Sequence, residues 1–567
     1  MDRQNEQQII FQYLQHVRKL YEESSVPVVY KPGHTEERML PTNDGVRLRT
    51  EYCFPEGVKR VPAIVMRCCY KQHAPLLALH AEEYTKRGFA FIIQWCRGMN
   101  GSEGKWEPNV NEREDGLALM RYLQADDRIE SIGYWGDSYL ALTGWVMADA
   151  VPEKVKTMYL GVYGCDRFVS AYQDGLFRQD ILTSWAMENA GREIRADYLT
   201  SAAFRPQIHV DEQLWGGILP WYRDWILNTD RDCSYWTEGF WADLKKIPGK
   251  IQIPLYIREG WYDHHLGSAI STYELLSDTA KSQSTFEIGP WNHSYQSVIA
   301  HQQTTGLKDN SFVKPLEWFD CILRKGGHPK RTIRRYVIGA DCWEVQTVYP
   351  VPIDCKTCFY LDATDGKKGL VTSIPVTNAC VEYDYDPLDP VFSYGAESLL
   401  KSMDKAGSLV QPPSDYRSDV LSFESEPLEK SLQIDGIIRV KLYVASDVED
   451  TAFSVKLMEV FADGTAVNIR GIITTLAYRN GSATRRDYNP GEKVEIELSL
   501  WDIAWVLQAG SRLRLDVSSS DFPQYAVHSN YPGIWSEQVE TRIAHQTIYT
   551  GNFSPSCIEL PVVIAEE

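Results

Sequence analysis

At 567 residues the chain exceeds what one hydrophobic core supports, because single cores stop growing near about 250–300 residues, and two or three domains are expected. A composition of 44% hydrophobic and 24% charged residues excludes a disordered chain. A formal net charge of -19 excludes a binder of phosphate backbones, which needs clustered Lys and Arg to displace counterions, so nucleic acid is not an expected partner.

In chain order, the start MDRQNEQQII carries no apolar core of signal-peptide length, and no run of about 18 apolar residues follows anywhere. A cytoplasmic protein that neither crosses nor binds a membrane is the expectation. Ile9, Ile10, Tyr13, Leu14, Val17 and Leu20 fall at helical spacing and predict an amphipathic helix over 6–23 that packs on the body of the protein. Thr42-Asn43-Asp44-Gly45 reads as a hairpin turn, and Val46, Leu48 and Thr50 alternate with charged neighbours as a half-exposed strand does; the folded domain is expected to start there.

From residue 61 short apolar runs alternate with helical segments: VPAIVMRCCY, FAFIIQWC, SIGYWG, VKTMYLGVYG, IQIPLYIREG and STFEIGP. Fully apolar strands separated by helices predict a parallel sheet covered on both faces. Between about 166 and 250 the strand pattern gives way to aromatic-rich helical sequence such as LWGGILPWYRDWIL, which predicts an inserted cap over the site. Past about 345 the period becomes two, as in Ile438, Val440, Leu442 and Val444, and again in Leu513, Leu515 and Val517; this predicts a jelly-roll-like sandwich. The expected division is 1–165 for the first part of an α/β core with its N-terminal helix, 166–250 for the helical cap, 251–345 for the second part of the core, and 346–567 for the jelly-roll β-sandwich. The twelve cysteines form no framework of paired spacings, and Cys355-x-x-Cys358 lacks two further zinc ligands, so reduced thiols are expected.

The sharpest local signal is Gly133-Tyr134-Trp135-Gly136-Asp137-Ser138-Tyr139, an apolar strand ending in Gly-x-Ser and running into the helical LALTGWVMADA. A tight strand-to-helix turn lifts a serine clear of the sheet and aims the next backbone N–H at a forming oxyanion. Leu140 stands where a strict G-x-S-x-G pattern has its second glycine, so the motif alone weighs evenly against a helix-capping serine. A weakly acidic hydroxyl needs a base, and the chain supplies the order Ser, Asp, His: Asp263 follows the strand IPLYI, and His293 follows the strand ending at Ile288. Their separation of 30 positions fits one strand–helix–strand unit, which brings both loops to the sheet edge that carries Ser138. Taken singly, Asp263 reads as a helix cap and His293 as a loop histidine; taken with Ser138 they read as nucleophile, orienting acid and general base. His264 and His265 are adjacent residues expected to point apart and so not to chelate one ion; no metal and no organic cofactor is expected.

At these residues the chain resembles the α/β-hydrolase family of cocaine esterase and the X-prolyl dipeptidyl aminopeptidases, which also includes α-amino acid ester hydrolases and a glutaryl-cephalosporin acylase. The matching stretches are Asp44-Gly45-Val46-Arg47-Leu48, Arg97-Gly98 with Gly101-Ser102-Glu103-Gly104, Gly136-Asp137-Ser138-Tyr139-Leu140, Gly260-Trp261-Tyr262-Asp263, Ile288-Gly289-Pro290-Trp291-Asn292-His293, Leu500-Trp501 and Val517-Ser518-Ser519-Ser520-Asp521-Phe522-Pro523. The resemblance implies an α/β-hydrolase sheet with a helical cap and a jelly-roll β-sandwich closing the cleft. It implies the same triad, and an oxyanion hole built from the Tyr70 hydroxyl and the Tyr139 N–H. The chain departs from the family at Cys68-Cys69, where Asn-Pro is usual, at Trp95-Cys96, where an acidic residue is usual, and at Ala141, where glycine is usual. His264-His265-Leu266 stands where the α-amino acid ester hydrolases hold a substrate ammonium with carboxylates, which disfavours that substrate class. Asp166, His264 and Trp291 are the expected pocket residues.

The function expected is hydrolysis of an ester or amide through an acyl-enzyme, of carboxylesterase or X-Pro dipeptidyl-peptidase type, acting on a small-molecule or peptide acyl substrate. Two alternatives stand beside it: an acyltransferase or acylase using the same triad on a biosynthetic intermediate, and a catalytically silent ligand-binding protein. A homo-oligomer is left open.

Overall fold

The apolar runs cannot satisfy their backbone groups in isolation, and they do so by pairing side by side. In the computed structural model, which describes residues 3–308 and 310–563, they form the centre of one ten-stranded sheet. Its strands are β1 (Pro32–Pro41), β2 (Arg47–Pro55), β3 (Val61–Cys68), β4 (Ala90–Trp95), β5 (Ile129–Asp137) and β6 (Val155–Gly161). After the short hairpin β7 (Tyr172–Gln173) and β8 (Leu176–Phe177), which lies outside it, the sheet resumes with β9 (Leu255–Tyr262), β10 (Thr285–Asn292), β11 (Thr332–Val337) and β12 (Cys342–Gln346). The order is β1-β2-β4-β3-β5-β6-β9-β10-β11-β12. Pairing is parallel from β4 to β11. Every residue of β3, β9 and β10 is buried, as strands covered on both faces require.

The runs expected to pair parallel do so, and the sheet extends beyond them with antiparallel strands at both edges. There β1, β2 and β4 pair antiparallel, as do β11 and β12; β1–β2 and β11–β12 are hairpins, which need only a turn where a parallel pair needs a crossover. The domain also starts earlier than the Thr42–Gly45 turn, with β1 at Pro32.

Helix α1 (Arg3–Glu22) precedes the sheet and rests on α2 (Ala74–Lys86). Its expected apolar stripe packs only in part. Val17 and Tyr21 are fully buried, whereas Ile9, Ile10 and Tyr13 stay about half exposed because the helix reaches the body with its C-terminal half alone. That half is fastened by a bidentate Arg18–Glu82 pair and by a 2.8 Å hydrogen bond between the Tyr21 hydroxyl and His80 Nδ1. Burial, helped by the charge of His73, pushes the His80 imidazole down to about 3, so it is neutral in the folded protein. The unfolded chain takes up that proton once the pH falls below about 6.5, the ordinary histidine value. Stability from this site is therefore complete above about 6.5 and is lost as the pH falls from there towards 3. We expect the thermal midpoint of His80→Phe to fall less steeply between pH 6.5 and 4 than that of the natural protein, by differential scanning calorimetry; parallel slopes would remove His80 as a site of acid-linked proton uptake.

Helices α3 (Glu112–Ala125) and α4 (Tyr139–Trp145) cover the sheet. Between β6 and β9 the chain leaves it for α5 (Arg167–Ala171), the β7–β8 hairpin, α6 (Gln179–Glu188), α7 (Tyr198–Ala202), α8 (Val210–Gln213), α9 (Pro220–Leu227), α10 (Ser234–Thr237) and α11 (Gly239–Lys246), and returns before α12 (Leu266–Leu275). The hairpin is the one interruption of an otherwise helical insertion, turned at Gly175 with φ +86°.

The downstream half is all β. Thirteen strands, from β13 (Cys355–Asp362) to β25 (Cys557–Val563), form one hydrogen-bonded system in which β18 (Arg439–Ser446) meets β25 and β19 (Ala452–Val460) lies between β20 (Ala466–Thr475) and β23 (Arg512–Ser518). Ile438, Val440, Leu442 and Val444 point inward and are fully buried, as their alternation requires. This β domain grips the end of β9. Arg470 on β20 donates to the Trp261 carbonyl and, at 2.6 Å, to that of Asp502, and its guanidinium lies 5.3 Å from the Tyr262 ring.

Candidate active site

Ser138 stands between β5 and α4 with φ 57° and ψ -129°, a conformation an L-residue holds only when its surroundings impose it. The turn closes because neighbouring glycines leave room. A Cβ on Gly136 would lie 2.0 Å from the Leu140 carbonyl oxygen, and one on Gly161 would lie 2.0 Å from the Tyr295 hydroxyl. Leu140 is tolerated where the strict pattern has glycine, since its side chain is buried. The Ser138 N–H donates to the Gly161 carbonyl at 2.9 Å, fixing the elbow to β6.

The three residues expected to act together lie in one line. His293 Nε2 is 2.9 Å from Ser138 Oγ, and His293 Nδ1 is 2.6 Å from Asp263 Oδ2. Asp263 Oδ1 accepts the His265 N–H at 2.6 Å, so the residue caps the turn into α12 and orients the imidazole at once. Burial works to raise the Asp263 carboxyl, but the imidazoles of His293 and His264 and the hydrogen bonds it accepts hold it below the usual carboxylate value. Two other buried acids nearby go the other way: Glu259 and Asp137 are both raised by burial, Glu259 also by the charge of Asp263, while Asp137 accepts from Trp135 and Tyr295.

Tyr70 and Tyr139 both line the cavity in front of Ser138. Burial raises the Tyr70 phenol, keeping it protonated, and its oxygen accepts the Trp185 indole N–H at 3.0 Å, leaving its own O–H to donate elsewhere. Tyr139 opens α4, where a backbone N–H has no intrahelical partner. Its ring is held by Glu112, which accepts its hydroxyl at 3.1 Å, by the Asn109 N–H at 2.8 Å, and by the stacked Trp185 ring. Trp185 comes from α6, so the cap helps orient the Tyr70 hydroxyl.

The cavity has a volume of about 990 Å³ and is walled by core and cap together, including Leu182, Trp185 and Trp225. His264 and His265 do not point apart as their adjacency predicts. The turn into α12 sets their rings 4.0 Å apart, with His264 4.5 Å from His293, and both face the cavity. Asp263, His264 and His293 offer metal-ligand atoms within 4.8 Å of one another, but Asp263 Oδ2 and His293 Nδ1 are engaged with each other.

Two expected pocket residues are elsewhere. Asp166 does not line the cavity; Lys245 of α11 takes its carboxylate at 2.6 Å, which ties the start of the cap to its last helix. Trp291 is buried beneath the site, its ring 4.3 Å from the Arg258 guanidinium and packed against Gly289. The sequence reading missed Arg167 and Trp185. Arg167 directly follows Asp166 at the start of the cap, where a charge among aromatic residues is its only signal; Trp185 has no signal beyond its apolar helix.

A sheet of this order, with a serine elbow after β5 and the acid and histidine after β9 and β10, is that of an α/β-hydrolase. Comparison with known proteins agrees. Residues 44–295 match the model of the X-Pro dipeptidyl-peptidase (S15 family), and 302–559 match the X-Pro dipeptidyl-peptidase C-terminal non-catalytic domain. Cocaine esterase from Rhodococcus sp. (strain MB1 Bresler) is 28% identical over 570 residues, covering 93% of this chain and 98% of that one. A putative serine esterase of Mycobacterium bovis is 23% identical over 352 residues, covering 57% of this chain and 52% of its own. Among solved structures, an α-amino acid ester hydrolase superposes with TM-score 0.80 at 21% identity over 94% of this chain and 97% of its own. An aminopeptidase from a marine sediment archaeon (Thaumarchaeota archaeon) gives 0.79 at 20% identity over 96% and 99%. The chain belongs to the S15 family of serine hydrolases, which act on ester and amide bonds. Among the described residues no helix is long and apolar enough to cross a membrane.

Proposed function

We propose that the protein hydrolyses a carboxylic ester or amide through an acyl-enzyme on Ser138. His293 takes the Ser138 proton as Oγ attacks the carbonyl and returns it to the leaving group; Asp263 holds the imidazole tautomer and offsets the charge that forms on it. The Tyr70 hydroxyl and the Tyr139 N–H receive the oxyanion, each such donor being worth roughly 2.7–4 kcal/mol in the transition state. Water, activated by the same histidine, then releases the acid.

The observation that carries this reading is the continuous line Ser138–His293–Asp263 at 2.9 and 2.6 Å, opening on the cavity. The strained Ser138 backbone supports it against a silent binding protein, since strain of this kind costs about 1–3 kcal/mol and persists at sites where it serves chemistry.

The test is intact-mass analysis after incubation with a fluorophosphonate, run beside a screen of p-nitrophenyl esters, anilides and X-Pro peptides. One phosphonyl group per chain and a burst of one p-nitrophenolate are expected. A natural protein that takes no phosphonyl group and turns over none of the three substrate classes would overturn the reading.

A further inference from the structure

Arg167 opens α5 directly beyond the end of β6, on the sheet edge that carries the triad. Its side chain lines the cavity although the residue is only 8% exposed. A guanidinium is charged at every pH a protein survives, and a buried charge is costly unless something pairs with it. Among the described residues no carboxylate lies within ion-pairing distance of it, and the acid next to it, Asp166, is taken by Lys245. What surrounds it is aromatic and neutral. The guanidinium lies 5.1 Å from the Trp225 ring and 5.8 Å from the Trp241 ring, with the Tyr163 hydroxyl as its polar neighbour.

The groups between Arg167 and the proposed base are the two histidines. His265 Nδ1 is spent on Ser170 Oγ at 2.8 Å, and His264 Nδ1 is buried 3.9 Å from Asp263 Oδ1, turned toward the triad acid. Burial comes first in holding both imidazoles neutral, with Arg167 and His293 adding to it, so they bring no second positive charge beside Arg167. The other charged residues around the cavity have partners of their own or stand in solvent. Glu188 pairs with Lys401 and Glu193 with Arg195, Arg192 donates to the carbonyls of Trp215 and Gly217, and Lys71 is exposed.

We infer that Arg167 forms a subsite for a single carboxylate carried by the substrate itself, a short chain away from the scissile carbonyl. The inference rests on the hydrolase reading and narrows it to acids' half-esters and half-amides, or to acyl derivatives of a carboxylate-bearing alcohol or amine. One guanidinium matches one monoanion, and the fork of N–H groups fits the two carboxylate oxygens. The aromatic walls at Trp225 and Trp241 exclude water, which strengthens the pair.

The experiment compares kcat/KM for the mono-p-nitrophenyl esters of succinic, glutaric and adipic acids with those of the neutral acyl chains of equal length, and acetylated hydroxy acids with their amides. One member of the charged series should exceed its neutral partner by about 30-fold or more, the range of a charge-assisted hydrogen bond made in a dry site. In Arg167→Gln that ratio should collapse towards one, chiefly through KM, and in Arg167→Lys part of it should return. A natural protein that hydrolyses neutral esters with no preference for any charged partner would overturn the subsite while leaving the hydrolase reading intact, and so would a preference that survives in Arg167→Gln. Absence of both turnover and phosphonyl adduct would instead strike the hydrolase reading. Should Arg167→Gln fail to fold, protection of the natural protein against phosphonylation decides: glutarate should protect and glutaramide should not, and equal protection by both overturns the subsite.

Discussion

Ser138→Ala will reduce kcat by about 10⁴–10⁶-fold and remove the phosphonyl adduct, and His293→Ala will cost nearly as much. The two losses should not multiply. Oγ and Nε2 form a single 2.9 Å hydrogen bond, and neither atom does chemistry without the other, so the double variant should be about as slow as either single one. What remains in all three comes from the groups that do not depend on them, the Tyr70 hydroxyl and the Tyr139 N–H. The elbow is held by the Gly161 carbonyl and by the close approach of Gly136 to Leu140, so Ser138→Ala keeps its backbone and a native circular dichroism spectrum is expected alongside the lost activity. An active Ser138→Ala would mean that another nucleophile is in use.

Asp263→Asn will lower kcat by about 10⁴-fold with little change in fold. An asparagine carbonyl still accepts the His265 N–H, so the turn into α12 survives. Its amide N–H₂ faces His293 Nδ1, however, and a donor there forces that nitrogen to become the acceptor. The proton moves to Nε2, which then cannot take one from Ser138. The natural carboxylate suits the role because His293 and His264 hold it ionised despite complete burial. Glu259 is poorly suited to stand in for it, since burial and the Asp263 charge push that carboxyl well above the usual carboxylate range. Single-turnover acylation measured by stopped flow separates this effect from product release; a loss confined to release would contradict the tautomer argument.

The parts of this molecule that obey a short sequence period were legible. Fully apolar runs gave the parallel centre of the sheet, and alternation gave the inward rows of the β domain, such as Val440 and Leu442. The triad was legible because chain order and strand ends constrain where three residues can meet. The outer edge at β12 was not, since Cys-Trp-Glu-Val-Gln is only five residues long and its brief Trp–Val alternation stays largely at the surface. The contents of the cavity were not legible either. Which way His264 turns is decided by the first turn of α12, and whether Asp166 faces substrate is decided by Lys245, which lies in another helix. The N-terminal helix shows the converse: its period is plain, but the extent of the surface available to cover it is a tertiary fact that Ile9 and Ile10 do not encode.

The grip of Arg470 on Trp261 has a consequence for timing during synthesis. The strand end that leads into Asp263 is held in part by Arg470 of β20, and β20 belongs to a β system that is completed when β25 pairs with β13 and β18 far downstream in the chain. A ribosome-bound chain with its sheet already formed therefore lacks part of the support for its acid, and the power to cleave arrives late, after nearly all of the polypeptide has emerged.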